Sequence, residues 1–232
     1  MIRRPAVNVQ QAAGTSARAI QSAVDAYRDD LGTLNPNQPG SFGSGRREIN
    51  WDGVPDNFAA PNPFPADFFN TRSPRGVVFS TPGAGFQVSA NAGVAPIEFD
   101  NINPTYSGLF TTFSPQRLFT ALGSTVTEVL FFVPGSSTPA TTSGFGSVFT
   151  DVDRPETTIE YFDARGRRLA EFDVPASPGR ETLSFLGVRF LDRRVARVRI
   201  TSGNTVLGPN ERRDRDIVVM DDFIFGEPTP LG

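Results

Sequence analysis

Short apolar segments separated by turn residues dominate the sequence after residue 75. Because successive strand side chains point to opposite faces, Val198 between Arg197 and Arg199 predicts one buried face and one exposed face. Segments 129–133 and 217–220 are apolar on both faces, which is typical of strands in a sheet covered on each side. The predicted strands are 76–80, 85–90, 96–100, 117–122, 126–133, 145–150, 157–162, 167–174, 182–190, 195–201 and 216–225.

This pattern predicts an all-β fold, a two-sheet antiparallel β-sandwich of the jelly-roll kind. The 22 Gly and 20 Pro residues fall between the apolar segments, as expected for many short strands and turns. Phe is a strand former without a polar atom, so the 21 Phe residues are expected to fill the core. An open barrel is the alternative architecture.

One short amphipathic helix is predicted at the N-terminal end. Ala17, Ile20, Val24, Tyr27 and Leu31 are spaced three or four residues apart, which places them on one helix face. We expect this face to dock on the protein itself, with a protein partner as the alternative. The acidic residues of the opposite face argue against an anionic membrane surface.

The chain is predicted to divide into three parts. Residues 1–44 hold the helix and a linker rich in Pro, Gly and Asn. Residues 45–228 form a single β-sandwich domain, which includes a Pro- and Phe-rich arm at 45–74, and residues 229–232 are a tail.

The composition excludes several classes of function. The chain has no His and no Cys, so it cannot build a Ser-His-Asp triad, a cysteine nucleophile or an imidazole or thiolate metal site. A net charge of -3 and the scarcity of aromatic residues among its basic segments argue against nucleic acid as a partner. No apolar run is long enough to cross a bilayer.

Three segments resemble a family of uncharacterised bacterial exported proteins, some of which carry a C-terminal sorting segment of the PEP-CTERM type. They are residues 45–55 (GRREINWDGVP), 70–89 and 218–228 (VVMDDFIFGEP). The last of these is also similar to the closing strand of jelly-roll carbohydrate-binding modules. The resemblance implies an exported sandwich in an extracellular or periplasmic location, and it implies no reaction.

Four aspartates are candidate ligands for a structural calcium ion, which requires several oxygen ligands. Asp151 and Asp153 have the spacing of residues on one face of a strand or tight loop. Asp221 and Asp222 lie in an apolar strand, so at least one is expected to be partly buried and to need a cation, an Arg or backbone donors. Arg or amide partners are the alternative to the ion.

Glu48 and Asp52 are the weak candidates for carboxylate catalysis of the kind used in glycoside hydrolysis. The alternative is structural: Arg46 and Arg47 would pair with these two acids and hold a loop around Trp51.

Two further features are candidates for ligand binding. An exposed Trp51 or Tyr106 could stack on a sugar, although an internal anchor is the alternative for Trp51. Arg197 and Arg199 share a strand face and could hold an anionic polymer, with cross-strand pairing to acids as the alternative.

Together these features predict a non-catalytic exported domain that binds a polysaccharide or a cell surface, with or without a structural calcium. A structural or accessory subunit of a larger assembly, which uses the helix and the arm to grip a protein partner, is the second hypothesis. A carboxylate-dependent glycosidase or lyase is the third.

Overall fold

The computed structural model describes residues 5–90, 97–192 and 194–231. The helices are α1 Ala17–Leu31 and α2 Phe68–Thr71, with single 3-10 turns at Asp56–Phe58 and Tyr106–Gly108. The strands are β1 Val7–Gly14, β2 Arg46–Ile49, β3 Val77–Ser80, β4 Gly85–Val88, β5 Phe119–Leu122, β6 Val126–Phe131, β7 Ala140–Thr141, β8 Gly144–Thr150, β9 Thr158–Phe162, β10 Arg168–Asp173, β11 Leu183–Phe190, β12 Arg197–Thr201, β13 Val219–Gly226 and β14 Thr229–Pro230.

Two antiparallel sheets form the sandwich. The seven-stranded sheet has the order β1-β11-β8-β13-β5-β4, and β2 pairs with the second half of β13. The five-stranded sheet has the order β10-β9-β12-β6-β3, and β7 and β14 form a separate small ribbon. The predicted all-β sandwich with an N-terminal helix is therefore confirmed.

Large apolar side chains from both sheets form the core between them. Phe223 of β13 packs edge-on against Phe79 of β3, at 5.9 Å between ring centroids. Trp51 lies at the centre and stacks on Phe119 at 4.0 Å, with the ring planes 4° apart. Stacked and edge-on pairs are favourable arrangements of aromatic quadrupoles, so the Phe-rich composition becomes a connected aromatic core.

Helix α1 packs on the outer face of the seven-stranded sheet. The predicted stripe residues Ile20, Val24, Tyr27 and Leu31 are buried, in a cluster that includes Phe185 of β11. The helix therefore docks on the protein itself, which confirms that prediction and places its apolar face out of reach of a partner.

Strand β1 was not predicted, because Val7–Gly14 contains mostly small and amide side chains rather than an apolar alternation. It pairs with β11 along its whole length and forms one edge of the large sheet. Residues 7–31 thus contribute both an edge strand and a covering helix to the sandwich.

Every predicted strand except 96–100 overlaps an observed strand. Residue 96 lies outside the described residues, and residues 98–100 form a turn that follows an isolated bridge at Ile97. Neither helix of the described residues combines the length and apolar character required to cross a bilayer.

A buried ion pair fixes the loop that links α1 to β2. Arg47 is fully buried and donates two hydrogen bonds to Glu227, at 2.6 and 2.9 Å. It also donates to the carbonyls of Pro36, Gly40 and Pro74. One guanidinium therefore joins β2, the end of β13 and the linker of residues 33–45.

Candidate functional site

A cleft of about 500 Å³ opens on the outer face of the seven-stranded sheet. Helix α1, the linker after it, β2, β13 and the 113–115 loop form its walls. We call it the β2 cleft. Its polar lining consists mainly of carboxylate, amide and guanidinium groups, on Gln21, Arg28, Asn37, Glu48, Asn50 and Asp222.

A β-bulge in β13 positions two of the acids. Met220 pairs with Phe149 and Phe223 pairs with Ser147, so Asp221 and Asp222 lie opposite a single residue of β8. Bulges redirect side chains and are common beside functional sites. Here the bulge allows neighbouring aspartates to contact the same loop, at Ser114.

Arg28 of α1 connects the acids of the cleft. It donates two hydrogen bonds to Glu48, at 3.1 and 3.0 Å, and lies 3.7 Å from a carboxylate oxygen of Asp222. Arg46 donates a further bond to Glu48, at 2.6 Å. Paired guanidinium and carboxylate groups of this kind hold each other in fixed geometry.

Two of the four side-chain amides that line the cleft are free to bind a ligand. Asn37 and Asn50 are exposed, and no hydrogen bond joins either side chain to another described residue. Leu34, which is 50% exposed, and Phe113 provide apolar surface beside them. The cleft thus combines free donors and acceptors with two apolar contacts.

Burial alters the acid–base properties of the aspartate pair. Burial and the adjacent Asp222 raise the pKa of Asp221 well above its ordinary value, although the amides of Phe113 and Ser114 lower it. Burial raises the pKa of Asp222 to about 6, whereas the Ser114 hydroxyl and Arg28 lower it. Both carboxyls are therefore harder to ionise than surface aspartates.

The predicted sugar-stacking rings lie in the core instead. Trp51 and Tyr106 have no exposed surface, and the Trp51 indole donates to the carbonyl of Asp221 at 2.8 Å. Tyr106 donates to the carbonyl of Pro209. Neither ring offers a face to a sugar, so both residues are reassigned to structural positions; the internal-anchor alternative describes Trp51.

Glu48 and Asp52 occupy different environments. Glu48 lines the β2 cleft, whereas Asp52 accepts the backbone N–H groups of Gln116 and Arg117, at 2.6 and 3.0 Å, beside a separate depression. The structural alternative was right for the contact of Arg46 with Glu48 and wrong for Arg47, whose carboxylate partner is Glu227.

The two arginines predicted to share a strand face, which we call the basic stripe, are paired with acids of adjacent strands. Arg197 and Arg199 each donate to Glu128 at 2.6 Å, and Arg199 lies 3.9 Å from Glu160. Arg197 also covers the Phe162 ring at 3.9 Å. Cross-strand pairing, the alternative named for these residues, is what the structure contains.

The four predicted calcium ligands separate into two places. Asp221 accepts the amides of Phe113 and Ser114, at 2.6 and 3.2 Å, and Asp222 accepts the Ser114 hydroxyl at 2.5 Å. These donors occupy oxygens that an ion would need, so amide and hydroxyl partners replace the cation here. Asp151 and Asp153 lie beyond the end of β8, in a different acidic group.

Sequence reasoning missed Arg28, Asn37 and Asn50 as cleft residues. Arg28 lies in the final turn of α1, where a polar residue is ordinary on an exposed helix face. Asn37 and Asn50 lie in turn-rich segments, where Asn is common for backbone reasons. The docking of α1 on the sheet and the pairing of β2 with β13 bring these three residues together, and no local pattern encodes either contact.

Comparisons of the chain with models of known protein families, with curated proteins and with solved structures find no match.

Proposed function

We propose that the chain is a non-catalytic domain that binds carbohydrate in the β2 cleft, in an extracellular or periplasmic location. The observation that carries the proposal is the pair of exposed amides, Asn37 and Asn50, in a cleft of about 500 Å³ without hydrogen bonds to other described residues. The volume lies within the usual range for small-ligand sites, roughly 300–1,000 Å³.

The chemistry of the cleft suits sugar hydroxyls. A hydroxyl both donates and accepts hydrogen bonds, and an amide offers both to it. The carboxylates of Glu48 and Asp222 add acceptors, and Arg28 holds them in place. Leu34 and Phe113 can contact the C–H faces of a sugar ring, so the polar and apolar sides of a saccharide both find partners.

The resemblance of residues 218–228 to the closing strand of carbohydrate-binding modules supports the same class of ligand. Those residues include the bulge that positions Asp222 in the cleft. The resemblance also implies export, so extracellular or periplasmic polysaccharides are the proposed partners.

A second candidate is hydrolysis of a glycoside by the acids of the cleft. It is favoured by one observation, which is that burial raises the pKa of Asp222 to about 6, towards the range of a general acid. Against it, Glu48 is engaged by two guanidinium groups, of Arg28 and Arg46, and is not free to attack a sugar carbon.

A glycan array with the labelled protein, followed by calorimetry with an oligosaccharide that binds, tests the proposal. Asn37→Ala and Asn50→Ala should each weaken binding about fivefold, since a hydrogen bond contributes about 1 kcal/mol. Asn57→Ala is the matched control, because Asn57 is exposed and lies outside the cleft. Its affinity should equal that of the wild type.

Two outcomes would overturn carbohydrate binding in this cleft. One is the absence of binding to any glycan on the array, and the other is unchanged affinity in both cleft variants. Release of reducing ends from the bound oligosaccharide, abolished by Asp222→Asn, would instead establish the hydrolase.

A further inference from the structure

Asp151 is a buried acid whose carboxylate has no hydrogen-bond partner in the described part of the chain. It follows the last residue of β8, its φ is 67°, and its side chain has no exposed surface. Neither carboxylate oxygen has a hydrogen-bond partner among the described residues. Burial of an ionised carboxylate is costly unless an opposite charge or hydrogen bonds compensate it.

Three other acids lie close enough to this carboxyl for their charges to affect its pKa. Burial is the largest cause that raises the pKa of Asp151 to about 9, and the negative charges of Asp153, Glu211 and Asp216 contribute to the same rise. The pKa of Glu211 is raised to about 7 and that of Asp216 to about 6, with burial as the largest cause in both. We call these four residues the Asp151 cluster.

Backbone donors hold one oxygen of each surrounding acid. Asp153 accepts the Gly179 N–H at 2.7 Å, and Glu211 accepts the Ile217 N–H at 3.2 Å. Asp216 accepts the Asp153 N–H at 3.2 Å through Oδ1, while its Oδ2 is buried without a partner. These bonds fix the acids in two loops, one after β8 and one before β13.

We propose that the Asp151 cluster binds a calcium ion. Calcium takes about six to eight oxygen ligands, including carboxylates that bind through one or both oxygens. Both oxygens of Asp151 and Oδ2 of Asp216 have no other partner, and each of the other two acids has a second oxygen to offer. Water completes the coordination.

Arg180 compensates this charge only in part. Its positive charge lowers the pKa of Asp151, but its guanidinium donates to the carbonyl of Gly108 at 3.1 Å. In the described part of the chain it forms no salt bridge within 4.0 Å of any cluster acid. A divalent cation supplies the positive charge that Arg180 leaves uncompensated.

The described residues contain no preassembled set of three acidic metal ligands. We therefore expect ion binding to be coupled to small rotations of the half-exposed side chains of Asp153 and Glu211 towards the buried Asp151. Magnesium demands a smaller and more regular octahedron, so this adjustable site should favour calcium.

Thermal unfolding with EDTA, calcium or magnesium at pH 7.5 tests the proposal. At a calcium concentration about 100-fold above Kd, the melting temperature should rise by about 5–10 °C. Magnesium at the same concentration should have a much smaller effect. Calorimetry of the EDTA-treated protein with calcium chloride should give a stoichiometry near one.

Asp151→Asn removes the central ligand charge while keeping the side-chain shape, and it should abolish the calcium shift. Glu211→Gln, in a half-exposed position, should reduce the shift and covers the case in which the first variant does not fold. Asp214→Asn is the matched control, because Asp214 is exposed in the same loop and outside the cluster. It should respond to calcium like the wild type.

The absence of a calcium shift and of binding heat in the wild type would overturn the proposal. So would a full calcium response in both Asp151→Asn and Glu211→Gln. This inference does not rest on carbohydrate binding, since the cluster and the β2 cleft share no residues.

Discussion

The surroundings of strand β2 and the Asp151 cluster both contain buried acids, but the negative charge is compensated differently in the two places. Around β2, Arg47 pairs with Glu227, and Arg28 joins Glu48 to Asp222. In the Asp151 cluster no salt bridge reaches any acid within the described residues, and two side chains keep unpartnered oxygens. We infer that arginine compensates the buried charge around β2, whereas the Asp151 cluster takes up a proton or the proposed cation.

The largest effect should follow from removing the arginine of the buried pair. Arg47→Met leaves the buried Glu227 carboxylate with neutral donors alone among the described residues, the Asn35 amide and the Phe42 N–H, so the free energy of unfolding should fall by about 3–5 kcal/mol. Urea denaturation measures the change. Arg168→Met, in an exposed pair with Glu160, should have a far smaller effect, and equal losses in the two variants would contradict the contrast between them.

The Asp151 cluster should make stability depend on pH with the opposite sign to an ordinary ion pair. The pKa of Asp151 is about 9 in the folded protein and about 4 in the unfolded chain, so the folded state holds an extra proton between these values. The contribution of Asp151 to the free energy of unfolding is fully present below about pH 4. It should fall as pH rises towards 9, by about 1.4 kcal/mol per pH unit.

Urea denaturation in EDTA at pH 5 to 8 should therefore show a declining free energy of unfolding, steeper in the wild type than in Asp151→Asn. Saturating calcium should flatten the wild-type curve, because the ion replaces the proton. Identical slopes for the two proteins in EDTA would show that Asp151 does not hold the extra proton.

Docking of α1 should affect stability and the β2 cleft together. A Cβ on Gly187 would lie 2.6 to 2.7 Å from the Tyr27 ring, which is buried and bonded to the carbonyl of Val188. Gly187→Ala should cost about 1–3 kcal/mol and weaken glycan binding, because it displaces the helix that carries Arg28. Gly53→Ala meets no atom within 4 Å and is the control. Normal stability of Gly187→Ala would contradict this packing.

The smallest effect is expected for the arginines of the five-stranded sheet. Arg199→Gln leaves Glu128 paired with Arg197, so unfolding free energy should change by less than about 1 kcal/mol. Glycan affinity should be unchanged. A tenfold loss of affinity for a uronate or sulfated polymer in Arg199→Gln would show instead that the basic stripe binds an anionic ligand.

The strands and α1 could be predicted because their signals are local. The alternation around Val198 and the stripe from Ala17 to Leu31 each depend on a few neighbouring residues. Strand β1 could not be predicted in the same way, since its register is determined by β11 rather than by its own apolar pattern.

The sites were less predictable because partners come from distant segments. The spacing of Asp151 and Asp153 predicts that they lie together. Glu211 and Asp216 follow about 60 residues later in the chain, on the loop before β13, and no local pattern links them to the first two. The burial of Trp51 likewise depends on Phe119 and Phe223, which belong to β5 and β13. Residue type indicated the chemistry of each group, while the topology decided which groups meet.

Carbon-13 NMR of the aspartate carboxyls, titrated with pH in calcium-free buffer and then with calcium, tests the contrast between the two regions most directly. We expect the pKa of Asp151 to be about 9 and that of Asp222 about 6, with calcium removing the Asp151 proton at neutral pH. An Asp151 carboxyl that titrates near the ordinary aspartate pKa, with no response to calcium, would contradict it.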